Sequence, residues 1–337
     1  MSISSSTSPL AVEAADEQTL GARLRGLWHV LTANRKVTIG LIIVTFFVLV
    51  ALVGPFFVTF DTNAFGSDLN APPSPAHLLG TTSYGQDVLA QMIVGTRVSV
   101  ALGFITGIVA TIISVIVGLV SGYFGGWIDE GGSVLSNVFL VLPALPLAIV
   151  LTSFLPYKGP LIIGFVLAIT GWSWGARVLR AQTLSMRARE FVTAAKVTGE
   201  PAWRIIFFEI FPSEIGVVVA QLLGTIIYVI LAEAGLEYLG LGDVGSVSWG
   251  TMLYWAGNND ALLLGSWWWF VPPGLCIALL GAGLAFLNFG IDEIANPRLR
   301  TTPGPKATRG TGPDGARIED INSEGTGSKD SKKAVEV

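Results

Sequence analysis

Ionisable and nucleophilic side chains are sparse in this chain, so the few that cluster matter most. Of 337 residues only 13% are charged and 51% are hydrophobic. The single cysteine, Cys276, lies inside an apolar run, which excludes a disulfide framework or a thiolate metal cluster. The two histidines, His29 and His77, are far apart in sequence and argue against a histidine-based metal or catalytic site. No G-x-x-x-x-G-K-[ST] occurs, so the chain has no P-loop with which to bind and hydrolyse ATP. H-E-x-x-H is absent, the one G-x-S-x-G match, "GWSWG" at 171–175, lies in an apolar run with no histidine near it, no catalytic constellation is visible, and no basic patch suggests nucleic acid. Two acidic groupings remain. Glu233 and Glu237 stand four residues apart at the end of an apolar run, where they would touch cargo or pair at a subunit interface, because an isolated buried carboxylate costs too much. The second is "EFVTAAKVTGEPAWRIIFFEIFPS", residues 190–213, which packs Glu190, Lys196, Glu200, Arg204 and Glu209 between two long apolar runs.

The elements that must hold these groups are membrane spans. A mean hydropathy of +0.64 and charge far below the quarter usual for soluble domains place the chain in a bilayer. The 40 glycines agree, since glycine lets transmembrane helices approach closely. A core about 30 Å thick needs roughly 20 apolar residues per helix. Six stretches qualify or nearly so: 37–58, 98–128, 131–157, 159–176, 215–232 and 261–291. They do not alternate polar and apolar, which excludes a barrel. With the N-terminus inside, only Arg97 and Lys158 of the 20 Lys and Arg residues fall outside. Both termini are therefore expected in the cytoplasm, with the 190–213 insert facing the cytosol. The N-terminal residues 1–33 read as a flexible cytoplasmic leader rather than a signal peptide, for want of an apolar h-region. Residues 301–337, rich in Gly, Pro, Ser, Lys and Asp, read as a disordered cytoplasmic tail.

Two external segments follow from this topology. One runs from Phe60 to Gln91; its prolines stop any helix, and the stretch after Gly85 reads as a short amphipathic helix bearing Val88, Leu89, Met92 and Ile93. The other runs from Glu233 to Asp260. Each is either a plain connection or a lid over a pore mouth. Within the spans, Gly103 and Gly107, then Gly118, Gly122 and Gly126, recur every four residues and predict close helix packing. Pro143, Pro146, Pro272 and Pro273 predict kinks or breaks.

The insert reads as a helix, a glycine turn and a second short helix. Phe191, Ala194, Ala195 and Thr198 share one face of the first, Gly199 caps it, and Pro201 suits the first turn of the next. Pro212 then interrupts, and Ser213 caps the following span with Glu214 in its first turn. This is either a solvated elbow or a rigid knob that transmits force to a partner.

The knob resembles the "EAA" loop of ABC-importer permeases, with Ala194, Ala195, Gly199, Ile210 and Pro212 at matching positions and Thr193 in place of the leading acid. "LGTTSYGQDVL", "GTRVSVALG", "GLVSGYFGGWIDE", "RAQTLSMRAREFVTAAKVTGE", "LAEAGLEYLGLG", "SWGTML" and "ANPRLR" resemble, in order, the dipeptide/oligopeptide/nickel type of permease subunit. The likeness implies an all-α polytopic membrane protein with six transmembrane helices of the ABC-importer permease type. Residues 34–60 would form the first helix and 61–92 an external scoop. Residues 93–300 would form a five-helix core with a coupling loop at 181–213. It further implies a second permease subunit, two ATPase subunits carrying ATP and Mg, and an extracytoplasmic solute-binding protein; this chain itself would bind no cofactor or metal and catalyse nothing. Glu190, Ala194, Ala195, Gly199 and Arg204 would couple to the ATPase. Gly80, Thr81, Gly85, Asp87 and Arg97 would meet the binding protein, although Thr82, Gln86 and Gln91 replace usual charges of that region. Cargo is di- or oligopeptide or, from the wording of "GWSWGARVLRAQTLS" and "SVSWGTMLYWAGNND", oligosaccharide; the tryptophans suit sugar faces or an interfacial belt. The alternative class, a stand-alone secondary transporter, would need mid-membrane charges and inverted repeats, which the spans lack.

Overall fold

The computed structural model describes residues 35–59, 61–62 and 64–295, with side chains to 291. The expected leader at 1–33 and tail at 301–337 lie outside the described residues. Among the described residues there is no strand, only an isolated bridge between Thr81 and Asp87. Helix α1 (Arg35–Val53) continues as a 3-10 turn, Gly54–Phe57, with Pro55 at its start. Helix α2 (Val88–Phe124) has 37 residues, helix α3 is Gly126–Val141 and helix α4 is Ala144–Phe154. Helices α5 (Pro160–Gly171) and α6 (Ser173–Met186) form one span, followed by the short α7 (Glu190–Val197). Helix α8 runs as Ala202–Tyr238, α9 is Trp249–Asn258 and α10 is Trp267–Ala295. Among the described residues five helices are long and apolar enough to cross a membrane, six spans in all if the bent pair α3 and α4 counts as one.

Helix α2 is central, packing against α1, α3, α5, α6 and α8. The glycine spacing explains how. A methyl group on Gly103 would stand 2.5 Å from Ile230, and one on Gly107 would stand 2.6 Å from Ile226, so these two glycines admit α8. Gly118 and Gly122 do the same for α6, whose Leu179 and Thr183 side chains would lie 2.8 and 2.7 Å away. Gly126 receives no neighbour; with φ +57° beside Gly125 at +69°, it turns the chain instead.

The boundaries differ from the hydropathic expectation in three places. The amphipathic stretch after Gly85 is not a separate helix but the first turns of α2. Asp87 caps it, accepting from the Ala90 N–H at 2.7 Å, so propagation into the apolar run costs no new nucleus. The third span is broken by 86° at Pro143, where Leu142 takes the extended backbone that a following proline imposes. Pro146, by contrast, sits in the first turn of α4, where its missing N–H is not needed, and Pro272 and Pro273 lie inside α10 without ending it. Pro212 also fails to interrupt: α8 is continuous from Ala202. The preceding Ile205–Ile210 segment is π-helical, with the Phe211 N–H bonded to the Ile206 carbonyl. This widened turn relieves the clash between the proline ring and the preceding carbonyls. Ser213 is consequently not a cap; its hydroxyl donates to the Glu209 carbonyl.

Candidate functional site

At one end of the bundle, α7 projects as a knob. Arg189 is extended ahead of it and Glu190 lies in its first turn. Its exit is a Schellman turn: the Gly199 N–H donates to the Lys196 carbonyl and the Glu200 N–H to the Ala195 carbonyl, both at 3.1 Å. Gly199 has φ +80°, yet nothing lies within 4 Å of where a side chain would begin. Glycine is required there for its backbone and not for space. Pro201 stands just ahead of the next helix, outside its first turn.

One residue fixes the knob to the bundle. Val192 is completely buried among Leu119 of α2 and Ile205, Ile206 and Ile210 of α8, a burial contributing about 2 kcal/mol. Lys196 adds a cation–π contact 5.1 Å from the Tyr123 ring centre. Ala195 leans into the same cluster, so the free face is Phe191, Ala194, Val197 and Thr198 rather than one containing Ala195. Of the residues expected to couple, Glu190, Ala194 and Gly199 are exposed; Arg204 is exposed too and pairs with Glu200 at 3.6 Å. Sequence reasoning missed the large apolar groups that flank them, Val197, Trp203 and Phe208, all more than half exposed. Their signal was plain: bulky apolar residues on the turn and flank of a charged insert.

At the opposite end, the segment before α2 folds against the loop around α9. Gly80 (φ +68°) lies against the Trp268 ring and the Ala71 carbonyl. The Thr81 carbonyl accepts from the Trp268 indole at 3.1 Å, and Tyr84 meets Trp255 edge-on at 5.7 Å. Gly85 (φ +73°) abuts Gly66, and Asp87 accepts from the His77 ring at 2.8 Å. Gly80, Thr81, Gly85 and Asp87 are thus assembled into one cap. Arg97 is not part of it; it lies exposed further along α2.

Glu233 and Glu237 also belong to this end. Both are buried within the chain, with 1% and 0% of their surface exposed. Ser99 of α2 donates to Glu233 at 3.2 Å and Ser248 donates to Glu237, while the second oxygen of each carboxyl has no hydrogen-bond partner in the chain. A hydroxyl of the same chain supplies each acid with one donor, which offsets part of the cost of its burial. Among the described residues, no three His, Cys, Asp or Glu side chains converge as a metal site.

A bundle of membrane-spanning helices with a projecting knob at one end and a folded cap at the other defines an all-α polytopic membrane protein. The comparisons give its family: residues 114–301 match the binding-protein-dependent transport system inner membrane component, and residues 23–73 match the N-terminal transmembrane domain of oligopeptide transport permease C. The chain belongs to this family of membrane permeases. It is 32% identical over 301 residues to the oligopeptide transport system permease protein OppC of Bacillus subtilis, covering 87% of this chain and 96% of the relative. The dipeptide transport system permease protein DppC of the same organism is 33% identical over 280 residues, 81% and 85% of the two chains. DppC of Haemophilus influenzae is 32% identical over 287 residues, 82% and 95%.

Proposed function

We propose that this chain is one permease subunit of an ATP-driven peptide importer. It pairs with a second permease subunit, takes cargo from an extracytoplasmic binding protein at the cap, and docks α7 on one of two cytosolic ATPases that hold ATP and Mg. Both termini then lie in the cytoplasm. The observation that carries this reading is the knob itself: an exposed helix whose buried Val192 touches both α2 and α8. Movement of α7 is therefore movement of two spans, a rigid-body switch biased by nucleotide. Peptide is preferred as cargo because the relatives named above are oligopeptide and dipeptide permeases. Of the tryptophans that would suit sugar stacking, Trp172, Trp249, Trp268 and Trp269 are packed in the interior.

Purification of the tagged chain from its native membrane tests the assembly. Two ATPases and a second permease are expected to co-purify, and Val192→Asp is expected to lose the ATPases while the permease pair persists. Recovery of the chain alone, with uptake intact, would refute the assignment.

A further inference from the structure

Between the bend of α3 and α4, the start of α6, the middle of α8 and Asn288 of α10 lies a cavity of about 680 Å³. No carboxylate, ammonium or guanidinium group lines it. Its polar groups are neutral, and several lack partners within the protein: the carbonyl oxygens of the Gln221 and Asn288 side chains accept no hydrogen bond. The Tyr228 hydroxyl stands beside that of Thr170, which is itself committed to the Val166 carbonyl at 3.0 Å. Pro143 has no N–H, so the carbonyl of Phe139 lacks its usual helical donor as well. Acceptors left open at mid-span are costly in lipid and persist where they line a path for a polar solute.

The wall is built to present them. Gly171 and Gly175 form a trough on the α5–α6 span; a methyl group on Gly175 would fall 1.4 Å from the Gln221 amide nitrogen, and one on Gly171 would fall 3.3 Å from the Tyr228 ring. Gln221 and Tyr228 are seven residues apart on α8, hence about 10 Å apart along its axis. That separation spans about three residues of extended peptide. Trp174, 65% exposed, adds an aromatic face at the rim.

We propose that this cavity is the permease's own cargo subsite and that it reads the main-chain N–H groups of an extended peptide. The site ignores side-chain and terminal charge, because it offers open acceptors and apolar surface but no ion partner. Sequence-tolerant passage of peptides follows. The inference rests on the peptide-import reading above.

The test uses the complete importer in proteoliposomes with its binding protein and a tetra-alanine cargo. Gln221→Leu and Asn288→Leu are each expected to lower uptake about tenfold while binding-protein-stimulated ATP hydrolysis stays within about twofold. Gly175→Ala, which displaces the Gln221 amide, should match Gln221→Leu, and Gln221→Asn should recover most of the uptake. A photoreactive p-benzoylphenylalanine at Val217, in otherwise unaltered cavity lining, is expected to cross-link the peptide during turnover; this arm decides if a variant fails to assemble. Unchanged uptake in both leucine variants, or no cross-link from a transporting complex, overturns the subsite alone. Failure of the wild-type importer to move any peptide overturns the cargo reading and the subsite with it.

Discussion

Gly199 shows what a single residue contributes and why its identity was readable. A glycine two residues beyond the last turn of a short helix, followed by a charged residue and proline, has one common structural use. The structure refines the reason: bulk is not the obstacle, because nothing surrounds the position. Gly199→Ala is therefore expected to cost about 1 kcal/mol, and Gly199→Asn less, since asparagine tolerates the left-handed region. Thermal unfolding of the purified complex, compared with its ratio of uptake to ATP hydrolysis, checks both. The glutamate pair was harder to read. Its spacing announced one face of one helix, but Ser99 lies 134 residues earlier, and no local pattern brings it there. Glu237→Ala removes the buried acceptor to which Ser248 donates and should destabilise the chain by about 1–3 kcal/mol, whereas Glu237→Gln, which keeps an acceptor oxygen, should be nearly silent. Equal losses for the two variants in a melting experiment would remove the pair from the account.

Among the elements, the spans with uninterrupted apolar runs were legible and their ends were not. Hydropathy registers the lipid-crossing part of a helix and is blind to a cap such as Asp87, which starts α2 ten residues before the apolar run expected at 98–128. Proline misled in the other direction. Of the prolines expected to distort spans, only Pro143 coincides with a break: Pro146 falls in the first turn of α4, and Pro272 and Pro273 lie inside α10 without ending it. Pro143→Ala frees Leu142 from its extended backbone and is expected to straighten the third span. Paired spin labels at Ser133 and Ser153, in a Cys276→Ser background, should then report a longer distance by electron–electron resonance. An unchanged distance would show that packing, rather than the proline, holds the 86° bend.

For the whole molecule, the composition and the ordered motifs carried the class, while the cavity wall was invisible in advance. Gln221, Tyr228 and Asn288 look like ordinary polar interruptions until α8 and α10 are placed beside Gly171 and Gly175. The proposed orientation has a direct check at this scale. Single cysteines at Ala76 and Ala194, both exposed, replace the native thiol. A membrane-impermeant maleimide applied to intact cells is expected to label the first and to reach the second only after lysis. The reverse pattern would invert the topology and detach the cap from the binding protein.

Helix α2 has a consequence for the cycle. It holds no proline, runs 37 residues without a break, joins the cap at its first turn and receives Val192 near its last. At 1.5 Å per residue it is about 55 Å long, so tilting about its middle displaces each tip by roughly 0.5 Å per degree, in opposite directions. In the proposed import cycle such a seesaw would make the two mouths of the passage exclusive by geometry: what swings one shut would swing the other wide.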